Sequence, residues 1–148
     1  MTRLSGLRLV ALDGADLDVC SAALQDGLLR MRDISYDRRA RRLVAVFSRF
    51  RWEESAGPGP YQRIRSALSV DGVLAVRSRN IRLDSPDAIA SLLALNFTQD
   101  AEPPSGELRL VLSGGGEIGL RVECLDLVLA DFGEAWKTRR KPDHKEPG

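Results

Sequence analysis

The hydrophobic positions change period repeatedly along the chain, and each change predicts an element. Leu7-Arg8-Leu9-Val10-Ala11-Leu12 is a short, mostly apolar run that reads as a strand. Beyond it Leu17, Cys20, Leu24 and Leu28 recur at steps of three and four. Asp13 is placed to cap that segment and Asp16 favours its positive end, so a helix is predicted from there to near Gly27. Residues 29–36 and 43–52 are β-rich and flank an arginine-rich turn at 37–42. In the second run Val44, Val46, Phe50 and Trp52 fall on one face, the expected core side. Leu43, Ala45, Phe47, Arg49 and Arg51 fall on the other, which turns basic as the strand runs. Residues 53–60 carry two prolines and two glycines close together and predict an exposed loop.

Residues 64–70 and 73–83 read as two further strands around Asp71-Gly72, joined by a tight turn or fused as one bulged strand. Ser85-Pro86-Asp87 starts a helical turn or two before a strand at 92–97. The alternating runs 107–112 and 117–122 flank Ser113-Gly114-Gly115-Gly116 and form the clearest β-hairpin of the chain. Leu125, Val128, Leu129, Phe132 and Trp136 then recur at steps of three and four and predict a closing helix, against a rival period-two reading of Leu125, Leu127 and Leu129. The predicted fold class is therefore α+β: a curved antiparallel sheet of about seven or eight strands with an early helix and a C-terminal helix, similar to a pleckstrin-homology-like roll. Residues 1–136 form a single domain in this reading, and 137–148 a disordered charged tail.

Composition supports a packed core. Of 148 residues 43% are hydrophobic and 29% charged, ordinary globular usage rather than that of a disordered chain. No apolar run approaches the roughly 18 residues of a membrane span, and the N-terminus lacks a leader pattern, so a cytoplasmic protein without membrane contact is expected. Cys20 and Cys124 lie far apart in apolar contexts and are expected to be reduced thiols. The net charge of +1 conceals an asymmetry: residues 30–82 hold thirteen arginines and five acids, a net +8 against −7 elsewhere.

Candidate chemistry is sparse. The single histidine, His144, lies in the predicted tail, which removes histidine-dependent triads and histidine-ligated metal sites. Neither a metal nor a cofactor is expected. Gly114 to Gly119 satisfies G-x-G-x-x-G, but a strand follows where a dinucleotide site needs a helix. The carboxylate pairs Asp13 with Asp16 and Glu53 with Glu54 are explained by capping and by a solvated loop. No catalytic residue is assigned, and an enzyme working through carboxylates and arginines is the least favoured reading.

The most informative feature is three arginine pairs at i, i+2 spacing: Arg49 with Arg51, Arg63 with Arg65, and Arg77 with Arg79. On neighbouring strands they would build one anion-binding or partner-binding surface. Phe50, Trp52 and Tyr61 are close in sequence, but Phe50 and Trp52 share the apolar face, which weakens base stacking and disfavours nucleic acid. The segments Leu9-Val10-Ala11-Leu12-Asp13, Ser48-Arg49-Phe50-Arg51-Trp52-Glu53, Val76-Arg77-Ser78-Arg79 and Ala130-Asp131-Phe132-Gly133 with Trp136 carry a resemblance to an uncharacterised bacterial family, domain of unknown function 2948. The resemblance implies a small cytoplasmic protein and brings no activity with it. The residues themselves favour a non-enzymatic binding or adaptor module whose arginine face or exposed sheet edge meets an acidic protein partner, a reading with which a homodimer is compatible. The alternative is binding of a phosphorylated small molecule or single-stranded nucleic acid through the same arginines.

Overall fold

The computed structural model describes residues 6–55, 57, 59–138 and 141–142. Its elements are β1 (Arg8–Ala11), α1 (Gly14–Leu24), β2 (Leu28–Asp37), β3 (Arg42–Phe50), β4 (Tyr61–Val70), β5 (Val73–Arg79), β6 (Ile89–Gln99), β7 (Gly106–Leu112), β8 (Glu117–Val122) and β9 (Leu127–Thr138). Single 3-10 turns occupy Trp52–Glu54 and Ser113–Gly115.

The one α-helix forms for the predicted reasons. The Asp13 carboxylate accepts from the Asp16 N–H at 2.9 Å, which satisfies one of the unpaired donors at the helix start. Leu17, Cys20 and Leu24 are buried, and the helix packs on β6 and β1. The β7–β8 hairpin also forms as predicted, with Leu110 facing Ile118 across it.

The nine strands form one antiparallel sheet in the order β1-β9-β4-β3-β2-β6-β7-β8-β5. β2 meets the start of β6 through Leu28–Ser91, Leu29–Ala90 and Arg30–Ile89, and the remainder of β6 pairs with β7. The sheet thus turns at β6 into two halves, whose inward side chains share one buried cluster with α1.

This architecture corrects the α+β expectation: strand accounts for 58% of the structure and helix for 12%, and there is no closing helix to support a pleckstrin-homology-like roll. Residues 127–138 are the longest strand, β9, inserted between β1 and β4. The period-two reading wins because Leu125, Leu127 and Leu129 are at most 6% exposed, whereas Phe132 and Trp136, counted on the buried stripe of a helix, are 45% and 41% exposed. Burying each leucine is worth about 1.5–3 kcal/mol, which a helix placing Phe132 and Trp136 inward would have to match. Asp71-Gly72 does separate two strands, but they are not paired with each other: β4 lies between β9 and β3, and β5 is an edge strand on β8. Ser85 to Asp87 forms a turn, with Ala88 N–H donating to Ser85 O. Lys137 and Thr138, assigned to the tail, end β9; residues 139–140 and 143–148, with His144, lie outside the described residues.

Candidate functional site

β3 shows the opposite facing from that predicted. Leu43, Ala45, Phe47 and Arg49 point into the core, and Val44 and Val46 into the outer face. Both faces of the strand are apolar at first, so alternation alone does not distinguish them. Arg49 is completely buried. Its Nε donates to Asp131 Oδ1 at 2.9 Å and its Nη2 to Asp131 Oδ2 at 2.7 Å, while Nη1 and Nη2 reach the Glu53 carboxylate at 3.0 and 2.7 Å. Asp131 also accepts from Ser66 Oγ and from the Leu7 N–H. Burial works against the Asp131 charge, but these bonds and the attraction of Arg49 outweigh it and hold its carboxyl below the usual range. The network ties β3, β4, β9 and the start of the chain together. It is spent on structure.

Of the other predicted arginines Arg51 meets this network, lying 3.7 Å from Glu53 and bonded to Gln62, and the remaining four do not. Arg63 donates to Ser48 O at 2.8 Å and stacks on the Phe50 ring, which Trp52 and Tyr61 also contact. Arg65 is exposed on the outer face of the same half. Arg77 and Arg79 are on β5, at the far end of the sheet, where Arg77 pairs with Glu107 and Glu117 at 2.7 and 3.1 Å.

What the sequence reading did not assemble is the outer face of the half built from β1, β9, β4, β3 and β2. The registers place Val10, Val128, Ser69 and Val44 in one row across it, then Arg8, Ala130, Ala67 and Val46, then Phe132, Arg65, Ser48 and Leu28. Among the described residues no helix covers this face: α1 packs on β1, β6 and β3 from within, its buried residues in the core. Val10, Leu28, Ile89, Phe132 and Trp136 are each between 41% and 54% exposed. A cavity of about 260 Å³ opens there, its lining including Leu28, Arg30, Asp33, Arg65, Ile89 and Trp136. Arg8, Arg30 and Arg65 form no ion pair among the described residues. The bulge that brings Trp136 opposite Arg63, where Phe132 stands opposite Arg65, contains Gly133 at φ 73°, a backbone conformation that glycine adopts without strain.

A second cavity, of about 550 Å³, lies on the outer face of the other half, over β5, β8, β7 and the end of β6. Arg77, Arg109 and Arg121 line it together with Glu107 and Asp100. Among the described residues no three His, Cys, Asp or Glu side chains are grouped as a metal site. Every carboxyl with a resolved shift, Glu53, Asp100, Glu107 and Asp131, is shifted downward, the direction opposite to that of a general acid held protonated near neutrality. Cys20 is buried and Cys124 half-buried, and both are free. Among the described residues no helix is long and apolar enough to cross a membrane.

Fold and surfaces together define an antiparallel β protein with one inner helix and two uncovered sheet faces, one apolar and one charged. The chain belongs to the family described as protein of unknown function (DUF2948), which it matches over residues 7–144. No curated protein and no solved structure matches it significantly.

Proposed function

We propose that the chain is a non-enzymatic docking module that takes an acidic, partly apolar segment of a protein partner on the outer face of β1, β9, β4, β3 and β2. One observation carries this reading: five large apolar side chains stand 41–54% exposed on or beside a face whose cations Arg8, Arg30 and Arg65 have no carboxylate partner among the described residues. Exposed apolar surface of that kind marks interaction sites, with aromatic and arginine side chains supplying most of the binding energy. The charge sets the partner's sign, because like charges opposed across an interface are costly and opposite ones speed encounter. The arginine pairs enter this proposal only through Arg65, with Arg63 behind it supporting Phe50.

The test is a fluorescence-anisotropy titration with a synthetic peptide alternating Asp and Leu, against its Lys and Leu counterpart. The acidic peptide should bind saturably and the basic one should not. Trp136→Ser and Arg65→Gln should each weaken binding about tenfold. Equal binding of both peptides, or no effect of the two substitutions, contradicts the proposal. A concentration-dependent dimer that Trp136→Ser dissolves would replace the acidic partner with a second copy of the chain.

A further inference from the structure

The second cavity is built differently, and its wiring leaves cationic donors over. Gly119 on β8 stands between Arg77 on β5 and Arg109 on β7. A Cβ at this position would lie 2.9 Å from Arg77 Cζ and Nε and 2.9 Å from Glu107 Oε2. The missing side chain is what lets Arg77 reach across β8 to Glu107 on β7. That contact, with the one to Glu117, commits both glutamates to Arg77. Asp100 is engaged as well: it accepts from the Glu102 N–H and from Ser105 Oγ, each at 2.8 Å, and from Arg121 Nη2 at 3.5 Å. Arg109 has no ion pair among the described residues, and its Nε is shut off from solvent without a hydrogen-bond partner. Donors of a charged group closed away from water are normally satisfied, so this position is chemically matched to an acceptor.

We infer that the cleft over β5, β8, β7 and β6 is a binding site for a small organic molecule carrying one oxyanion group, a carboxylate or a phosphate monoester, gripped by Arg109 and Arg121. Thr98, opposite Glu107 on the same face, also lines the cavity and offers a neutral polar contact to the rest of the molecule. About 550 Å³ falls within the roughly 300–1,000 Å³ typical of small-molecule sites. Arg77 is matched by Glu107 and Glu117 and Arg121 by Asp100, which among the described residues leaves Arg109 as the lining cation without a carboxylate, an arrangement that suits a single anionic group and opposes a polyanion such as nucleic acid. This site is independent of the docking face, since it lies on the other half of the sheet and shares no residue with it.

The experiment is an NMR titration of the full chain with acetate and, separately, inorganic phosphate, at ionic strength held constant with chloride. Saturable shifts of the Gly119 and Gly106 amides and of the Arg109 side-chain Nε–H are expected, and whichever probe produces them assigns the ligand to the carboxylate or phosphate class. Arg109→Gln and the exposed Arg121→Gln should each weaken the response about tenfold, while Arg65→Gln on the docking face leaves it unchanged. Absence of a saturable shift up to about 50 mM of either probe, or an unaltered response in both folded cleft variants, overturns the inference.

Discussion

Arg49 shows how much one residue can mislead and still be central. An arginine spaced two from another on a strand reads as half of an outward pair, because burying a guanidinium is costly unless it is fully partnered. The partners are Glu53, four residues on, and Asp131, eighty-two away. Spacing can suggest the first and cannot reveal the second. Replacing Arg49 by Met would leave the Asp131 carboxylate, 1% exposed, buried without its counter-ion and should cost about 3–5 kcal/mol in urea denaturation. The double variant Arg49→Met with Asp131→Leu should recover much of that loss. The pH dependence follows from the sign of the shift. Asp131 titrates lower in the folded chain than its ordinary 3.8, so its contribution is complete above that value and is lost as pH falls through the folded one. Wild type should therefore lose more stability than the double variant between about pH 5 and pH 2. Equal slopes would show that the pair does not carry this charge linkage.

At the scale of elements, α1 was legible through its Asp13 cap and the spacing of Leu17, Cys20 and Leu24, and the β7–β8 hairpin through its apolar and polar alternation about a glycine turn. β3 and β9 were misread for a shared reason. Both are apolar on their two faces, so the expected period-two contrast is absent, and residues from both sides of β9, with Leu125 just before it, combine into a false helical stripe: Leu125 and Leu129 from within, Val128, Phe132 and Trp136 from without. The misreading is itself informative, since a strand apolar on both sides must have its outer side covered by something or left open. Leu129→Ala, on the inner side of β9, should destabilise by about 2–5 kcal/mol, whereas Phe132→Ala, on the outer side, should change the melting midpoint little. A large loss from Phe132→Ala alone would place that side chain in the core and remove it from the docking face.

Over the whole molecule, strand order was beyond the sequence. Consecutive β-rich runs suggested consecutive pairing, which holds for β2-β3-β4 and β6-β7-β8 but fails for β5 and β9, whose partners lie far away along the chain. That failure separates the arginine pairs: Arg49 is carried inside, Arg63 and Arg65 onto one outer face, Arg77 and Arg79 onto another. The arginine-rich stretch visible in the sequence is thus divided among a buried network at Arg49, surface ion pairs at Arg32, Arg41, Arg42, Arg77 and Arg82, and the proposed docking face with Arg30 and Arg65.

The most direct test of the docking face is hydrogen–deuterium exchange of the full chain with and without the acidic Asp and Leu peptide. Slowed exchange confined to β1, β9, β4, β3 and the start of β2 is the predicted result, because a peptide lying on that face shields those amides from solvent and leaves β7 and β8 as they were. Protection over β5, β7 and β8 instead, or none at peptide concentrations that saturate the anisotropy signal, would contradict it.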